Sequence, residues 1–258
     1  MHLLLHAISD IGLVRSNNED IALLGDSLVR DGASSRRLSL NDTRPVIFGV
    51  ADGVGGANSG EIASRKAALG ILRGLQSLEP GISVDQLARN LASLAREVND
   101  EIVRDGSSSR RHAGMATTLS ALIAYQQELI LLHAGDSRVY RLREGLLELV
   151  SRDHTVRAMT NNPEIPGNIL ANCFGISEDF FADVARLGSL CEFNDRYLIC
   201  SDGLSDLLDH DEMQHIMRRD ETLVRIAEQL VAAAHESGAR DNVTLVVAQA
   251  HDSAGRQG

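Results

Sequence analysis

Four aspartates at the borders of apolar runs are the residues of this sequence best suited to chemistry. Asp52, Asp136 and Asp202 follow the runs 46–51, 129–135 and 197–201, and Asp241 precedes the run 243–248. Runs of this length and β-branched content predict strands, and strands that share a core can bring their ends to one rim. Carboxylates gathered there would repel one another unless a cation lay between them. Oxygen ligands without nearby Cys or His suit Mg²⁺ or Mn²⁺ better than Zn²⁺, so the pattern predicts a metal-dependent hydrolase.

The composition limits the partners that the chain can have. The chain has 258 residues, 43% of them hydrophobic, a formal net charge of −11 and three cysteines without C-x-x-C spacing. The charge argues against nucleic acid or an anionic membrane surface as a partner, and the cysteines against a disulfide framework or a zinc site. No apolar run approaches the roughly 20 residues of a transmembrane helix. We therefore expect a soluble, cytoplasmic protein.

The predicted strands and helices that must position the aspartates do not alternate regularly along the chain. Strands are predicted near residues 3–8, 21–24, 117–124, 129–133, 139–142 and 197–201, and Glu144-Gly145 is typical of a hairpin turn. Helices are predicted from a capping box at residues 58–61 to about residue 75, from Ser83 to about residue 102, and over residues 223–234. Strand pairs followed by helix pairs favour an α+β sandwich over a parallel βαβ sheet.

Three segments carry no helical or strand period. Residues 26–44 are rich in Asp, Ser, Arg and Gly and are predicted to form an exposed loop, with Arg30, Arg36 and Arg37 as solvated charges. Residues 160–172 contain Asn-Asn-Pro and Ile-Pro-Gly and are predicted to form a loop or flap beside the metal rim. Because no linker or repeat marks a boundary, we expect a single domain, residues 1–250, followed by a polar tail, residues 251–258.

Eight short motifs occur in one order over residues 8–248. They are residues 15–20 (RSNNED), 51–56 (ADGVGG), 60–64 (GEIAS), 116–118 (ATT), 134–138 (AGDSR), 153–154 (DH), 201–204 (SDGL) and 241–244 (DNVT). Each motif alone is weak evidence for a family. The ordered set, however, resembles the motifs of the metal-dependent protein phosphatases of type 2C, in their compact bacterial form. The resemblance implies two packed antiparallel β-sheets flanked by helices, an α-β-β-α sandwich.

The resemblance also implies a set of metal ligands. Asp52 matches the residue that bridges two metal ions, and the carbonyl of Gly53 matches a ligand of one of them. Asp202 and Asp241 match the other acidic ligands, although Asp202 alone could be a helix N-cap and Asp241 alone a turn residue. Asp136 matches the ligand of a third, weaker ion, or serves only to bond backbone N–H groups in a Gly-Asp-Ser-Arg turn.

Further residues match the groups that act on water and phosphate. Glu19 and Asp20 match the acidic pair that holds metal-bound water, or they form a solvated charge pair. Arg15 matches the phosphate clamp, because a guanidinium offers a planar fork to phosphate oxygens, or it pairs with Glu19 on the surface. Some members have a proposed general acid, a His, where this chain has Val54. That leaves the acid unassigned, with His133 and His154 more simply interpreted as structural.

The predicted reaction is hydrolysis of phosphoserine and phosphothreonine monoesters on proteins. By resemblance, two Mn²⁺ or Mg²⁺ ions, with a possible third, lower the pKa of a bridging water so that hydroxide attacks phosphorus. The resemblance implies phosphorylated proteins as substrates and a bacterial Ser/Thr kinase or its targets as the partner. The protein is expected to be a monomer. The alternatives are a pseudophosphatase that binds phosphoproteins without turnover, and a hydrolase of small phosphoesters.

Overall fold

Two six-stranded antiparallel sheets form the centre of the molecule. A computed structural model describes residues 2–39, 43–54, 59–108, 110, 112–176, 179–189 and 195–251. In spatial order, the first sheet consists of β11 (Leu146–Leu149), β10 (Arg138–Arg143), β13 (Arg196–Cys200), β14 (Val243–His251), β1 (His2–Asp10) and β4 (Gly32–Ser39). The second consists of β12 (Asp183–Ser189), β9 (Glu128–Ala134), β8 (Leu119–Tyr125), β5 (Val46–Ala51), β2 (Ile21–Leu24) and β3 (Ser27–Val29). A short ribbon joins β6 (Gly53–Val54) to β7 (Ala116–Thr117).

Six helices complete the described part of the chain. They are α1 (Gly60–Ser77), α2 (Val84–Ser108), α3 (Val156–Thr160), α4 (Asp202–Ser205), α5 (His210–Met217) and α6 (Leu223–Glu236). The first two pack on the outer face of the second sheet, and the last two pack on the outer face of the first. In α2, Leu87, Leu91 and Ile102 recur at helical spacing and are fully buried, which fixes the face that meets the sheet.

Alternation along the strands separates three apolar layers. In β5, Phe48 and Val50 point between the sheets, whereas Ile47 and Ala51 point toward α1 and α2. Successive side chains of a strand face opposite ways, so a strand covered on both sides must be apolar throughout. The predicted α+β sandwich is therefore confirmed, with the order helices, sheet, sheet, helices.

The prediction of an exposed loop over residues 26–44 is wrong. Residues 27–29 and 32–39 form β3 and β4, and β4 is an edge strand of the first sheet paired with β1. Most of its side chains are exposed, so the strand carries no apolar alternation that a sequence pattern could reveal. Arg36 and Arg37 are exposed as expected, but the Arg30 side chain is only 16% exposed. It bonds the backbone carbonyls of Asp20 and Glu61, the Ser64 hydroxyl and the Glu61 carboxylate.

The remaining predictions differ from the structure mainly at their borders. Ser83 caps α2 by accepting a hydrogen bond from the Gln86 amide at 3.2 Å, as predicted, while α1 begins at Gly60 and Asn58 of the predicted capping box lies outside the described residues. β14 includes His251, so the predicted tail begins one residue later, and residues 252–258 lie outside the description. Sequence patterns missed α5 and the edge strand β12. Among the described residues, none of the helices has the length and apolar character needed to cross a membrane.

Candidate metal centre and active site

The predicted acidic residues meet where strand ends of the two sheets come together. Asp20 and Asp52 border β2 and β5 in the second sheet, where Ile21 pairs with Ala51. Asp202 and Asp241 border β13 and β14 in the first sheet. The carboxylate of Asp52 interacts electrostatically with those of Asp20, Asp202 and Asp136, and that of Asp202 interacts with Asp206 and Asp241. Two strands from each sheet thus converge on one acidic rim.

Burial and mutual repulsion raise the pKa values of the rim carboxylates. Loss of solvent raises the pKa of Asp52 well above its usual value, and the charges of Asp20, Asp202 and Asp136 raise it further. Burial is also the first cause that raises the pKa of Asp20 to about 7 and that of Asp136 to about 7, with Asp202 adding to both. The pKa of Asp202 is raised by burial and then by Asp206 and Asp241. Such a cluster is unfavourable without a counter-charge.

Asp20 is the most deeply buried of these carboxylates. It is 1% exposed, and its Oδ2 atom has no hydrogen-bond partner within the described residues. Hydrogen bonds from Ser201 and Thr244 act in the other direction and lower its pKa. A buried, unpaired carboxylate oxygen requires an explanation, and a cation or an ordered water beside it would supply one.

The backbone at Asp52 is fixed by two threonines. The Asp52 carbonyl accepts hydrogen bonds from the Thr117 hydroxyl and the Thr118 amide, both at 2.8 Å, and the Asp52 amide donates to the Thr118 hydroxyl at 3.1 Å. A side chain at Gly53 would overlap the backbone carbonyl of Gly60, the first residue of α1. Only glycine permits this approach, which brings the start of the helix against the rim.

Asn242 belongs to one of the motifs, and the structure gives it a role that the sequence did not. Its side-chain amide donates to the carbonyls of Ile11 and Asn17 at 2.9 and 3.0 Å, and its oxygen accepts from the Glu19 amide at 2.8 Å. This one side chain ties the loop between β1 and β2 to the start of β14. The available signal was a polar residue directly before a buried strand.

Two further anchors were missed by sequence reasoning. The Ser64 hydroxyl donates to the Glu19 carbonyl at 2.6 Å, and Arg30 Nε donates to the Asp20 carbonyl at 2.8 Å. Arg30 also reaches Ser64 Oγ at 3.0 Å and pairs with Glu61 at 2.7 Å. Glu19 and Asp20 are therefore held by their backbones, which leaves their carboxylates free to point into the rim.

Arg15 lies at the mouth of the rim. Its guanidinium forms an ion pair with Asp241 at 2.6 Å. The alternative prediction, a surface pair with Glu19, is therefore not observed. The Arg15 side chain is 53% exposed. The hydrogen bond with Asp241 is the first cause that raises the pKa of Arg15. An accessible guanidinium beside metal-type carboxylates is suitably placed to bind a phosphate.

The predicted flap borders the acidic rim. A cavity of about 450 Å³ is lined by Asp136 and Asp202 on one side and by Gly167 and Asn168 of the flap on another. His154 links the turn that carries Asp136 to the flap. Its amide donates to the Gly135 carbonyl at 2.8 Å, and its carbonyl accepts from the Ala171 amide of the flap at 2.8 Å. The predicted position of the flap beside the rim is thus observed.

Neither histidine is a free proton donor. His133 is fully buried, and its ring bonds Ser120 Oγ at 2.8 Å and the Arg152 carbonyl at 2.9 Å. Burial, and then the neighbouring His154, lower the pKa of His133 to about 4. The His154 ring bonds Asn172 at 2.8 Å and Asp183 at 3.1 Å. Both act as structural groups, as the simpler sequence interpretation held.

The rim does not contain a finished metal cage. In the part of the chain that the structure describes, no three His, Cys, Asp or Glu side chains are arranged so that they could hold an ion as they stand. The donor chemistry still fits Mn²⁺ or Mg²⁺, because the set is all oxygen, is repelled by its own charge and includes the unpaired Oδ2 of Asp20.

Comparison with known proteins identifies the family. The model of the family described as protein phosphatase 2C matches residues 25–244. The chain belongs to the protein phosphatase 2C family. Its relatives in that family include the serine/threonine phosphatase stp of Listeria monocytogenes, 28% identical over 251 residues that cover 93% of each chain. Another is the serine/threonine protein phosphatase PstP of Mycobacterium tuberculosis, 32% identical over 95% of this chain and 45% of that protein.

Solved structures of this phosphatase family have the same fold. A crystal structure of the Mycobacterium tuberculosis phosphatase PstP/Ppp matches with a TM-score of 0.79 and 29% identity, covering 98% of this chain and all of the other. A second structure, of the PstP catalytic domain in complex with two manganese ions, matches with a TM-score of 0.78. The chain is therefore a type 2C phosphatase in sequence and in architecture.

Proposed function

We propose that this phosphatase hydrolyses phosphoserine and phosphothreonine monoesters on proteins and depends on two Mn²⁺ or Mg²⁺ ions. The convergence of Asp20, Asp52, Asp136 and Asp202 on one rim carries the proposal, because their mutual repulsion calls for cations. The names of its relatives and the two manganese ions in the PstP structure support it. Bound ions would supply an activated water and positive charge for attack on phosphorus.

The chain's own residues take distinct parts in this proposal. Asp52, Asp202 and Asp241 would hold the two ions, and the carbonyl of Gly53 would assist Asp52. Asp20 and Glu19, fixed by their backbones, would orient water within the rim. Arg15 would leave Asp241 to bind the phosphoryl oxygens, since a guanidinium forms paired hydrogen bonds with phosphate.

A third ion at Asp136 is a further part of the proposal. Asp136 shares the cavity and the electrostatic influence of Asp202, so an outer ion could use both carboxylates. The phosphorylated proteins would be substrates or targets of a bacterial Ser/Thr kinase. The monomeric state, the cytoplasmic location and the extent of the catalytic domain stay predictions.

Substitution of the rim aspartates tests the metal mechanism. We expect Asp52→Asn to abolish turnover of p-nitrophenyl phosphate, and Asp202→Asn and Asp241→Asn to do nearly the same, with partial rescue by excess Mn²⁺. Asp136→Ala should retain two ions in a calorimetric titration and yet lose most activity. Asp26→Asn, an exposed change in the turn between β2 and β3, is the matched control and should leave all values unchanged.

Three outcomes would overturn parts of the proposal. Full activity in a strong chelator would exclude a metal mechanism. A wild-type protein that binds phosphopeptides and Mn²⁺ but turns over no phosphoester would instead establish the pseudophosphatase alternative. Turnover of small phosphoesters without any turnover of phosphopeptides would point to the remaining alternative, a small-molecule hydrolase.

A further inference from the structure

Exposed apolar side chains are concentrated around the acidic rim. Among the described residues, nine large apolar side chains are at least about a third exposed, and six of them lie on the segments that border the rim. Four are on the Arg15 side: Ile11, Leu13, Val14 and Val54. Two, Met159 and Ile169, are at the base of the flap. Single exposed apolar residues are ordinary, but such a grouping marks an interaction surface.

The segment that carries Leu13 and Val14 is held firmly. The Gly12 amide donates to Asp10 Oδ1 at 2.8 Å, and the Leu13 amide donates to the Ala239 carbonyl at 2.8 Å. Gly12 has a φ of +77°, and a side chain there would overlap the Asp241 carbonyl. The tight turn therefore presents Leu13 and Val14, which are 61% and 68% exposed, on a fixed backbone. A rigid apolar surface loses little entropy when a partner covers it.

Leu13 and Val14 lie beside the proposed phosphate site. They follow Gly12, which packs against the Asp241 carbonyl, and Val14 precedes Arg15, whose guanidinium is paired with Asp241. Val54 follows the Asp52-Gly53 pair, and the charge of Asp52 acts on Arg15. A substrate that places its phosphate at Arg15 brings its neighbouring residues close to the exposed Leu13 and Val14. Acidic neighbours would be repelled by the rim carboxylates and by the net charge of −11, whereas apolar neighbours would lose contact with water.

We propose that Leu13, Val14 and Val54 form a docking surface for an apolar side chain that neighbours the phosphorylated residue of a protein substrate. The inference rests on the proposed function and deepens it by naming a substrate class, phosphoproteins with apolar residues beside the phosphorylation site. Val14 and Leu13 make the larger contribution because they are the more exposed.

Two phosphothreonine peptides test this surface. They differ only in the residues that flank the phosphothreonine, which are Leu and Val in one peptide and Ser in the other. We expect wild-type protein with Mn²⁺ to show a kcat/KM about three- to tenfold higher for the apolar peptide, mainly through KM, as burial of one apolar side chain implies. Leu13→Ser and Val14→Ser should each bring the ratio of the two kcat/KM values toward one.

Leu146→Ser is the matched control. Leu146 is 69% exposed, like Val14, but it begins β11 at the far end of the hairpin from Asp136. This variant should keep the wild-type ratio. Equal kcat/KM for the two peptides in wild-type protein, or a ratio that Val14→Ser and Leu13→Ser leave intact, would overturn the proposal.

Two further measurements distinguish peptide docking from a dimer interface and from failure of the phosphatase function. If Val14→Ser weakens a dimer seen by light scattering and does not change the peptide ratio, the surface binds a second copy of the chain and the proposal is wrong. If neither peptide nor p-nitrophenyl phosphate is turned over with Mn²⁺, the proposed phosphatase function fails by itself. Peptide binding followed by fluorescence anisotropy then decides: a preference for the apolar peptide that Val14→Ser removes supports the surface, and equal binding overturns it.

Discussion

Single polar side chains determine how the acidic loop 15–20 lies against the rest of the molecule. Asn242 holds its backbone from the side of β14, and Arg30 and Ser64 hold it from the side of α1. These groups bind carbonyls and amides and do not bind the carboxylates. The carboxylates of Glu19 and Asp20 are therefore positioned without an ion pair to these anchors, which keeps them available for water or a cation.

Arg15→Ala tests the phosphate clamp at this scale. We expect KM for p-nitrophenyl phosphate to rise and kcat/KM to fall by about 1.5–3 kcal/mol, the magnitude of a hydrogen bond to a charged group. Arg15→Lys should recover only part of this loss, because an ammonium cannot reproduce the planar fork. Steady-state kinetics with and without Mn²⁺ provide the measurement.

The control for Arg15 is another exposed arginine in an ion pair. Arg225 is 63% exposed and pairs with Glu228 at 2.8 Å on α6, away from the rim. Arg225→Ala should leave KM and kcat unchanged. If a folded Arg15→Ala protein shows wild-type kinetics, Arg15 is only a partner of Asp241.

Arg30→Ala tests the anchor that sequence reasoning had treated as a solvated charge. The substitution removes the donors to the Asp20 carbonyl and Ser64 Oγ and leaves Glu61 without its partner. We expect the free energy of unfolding to fall by about 2–3 kcal/mol in urea titrations. Arg37→Ala, on the exposed edge strand β4, should stay within about 0.5 kcal/mol of wild type. A loss of the same size in both variants would contradict an anchoring role for Arg30.

At the scale of elements, the flap is fixed at its ends and open in its middle. The Val156 amide donates to the Ile169 carbonyl and the Ala171 amide to the His154 carbonyl, both at 2.8 Å. Residues 161–168 between these anchors are almost all exposed. His154 also bonds Gly135, so the base of the flap is tied to the turn that carries Asp136.

Shortening the flap should affect large substrates more than small ones. Removing residues 163–166 keeps the anchors at residues 154–156 and 169–172, and we expect kcat/KM to fall several-fold more for a phosphopeptide than for p-nitrophenyl phosphate. The comparison of both substrates, with a melting curve of the variant, provides the measurement. Equal losses together with a lowered Tm would mean that the deletion damages folding.

The elements that could be predicted from the sequence are those whose pattern of apolar and polar residues follows their burial. β5 and β14 are apolar over most of their length because both faces are covered, and the aspartates at their ends could therefore be placed at one rim. β4 could not be found, because an exposed edge strand looks like a polar loop. The role of Arg30 depends on α1 and the β2 border meeting in space, and no local pattern carries that information.

For the whole molecule, the rim is a concentration of negative charge that opposes folding. Burial raises the pKa values of Asp20 and Asp136 to about 7, against roughly 3.9 in an unfolded chain. Between pH 4 and 7 the folded state therefore keeps protons that the unfolded state has lost, so stability falls as pH rises through this range. His133, with a pKa lowered to about 4, acts in the opposite sense between pH 4 and 6.5.

Unfolding at several pH values tests this balance. The pair Asp20 and Asp136 outweighs the single imidazole of His133, and the raised pKa values of Asp52 and Asp202 act in the same sense as the pair. In a chelator we therefore expect the free energy of unfolding to fall by about 1.4 kcal/mol per pH unit or more between pH 5 and 6.5. Added Mn²⁺ should reduce or reverse the slope, because cations replace protons. Asp136→Asn should flatten the metal-free slope, whereas Asp26→Asn should retain it. A metal-free protein whose stability rises steadily from pH 5 to 7 would show that His133 dominates.

The pairing of β1 with β14 determines when the acidic rim can be completed during synthesis and folding. These strands are joined along nine residue pairs, yet more than 230 residues separate Asp10 from Val243. On a ribosome, β1 emerges before the other described strands and stays without this neighbour until nearly all the described chain has been made. Contacts so distant in sequence form late and slowly. Asp241 and Asn242 arrive with β14, so the acidic rim closes last. A nascent or interrupted chain would thus lack a finished rim, and dephosphorylation would begin only once synthesis had passed the final strand.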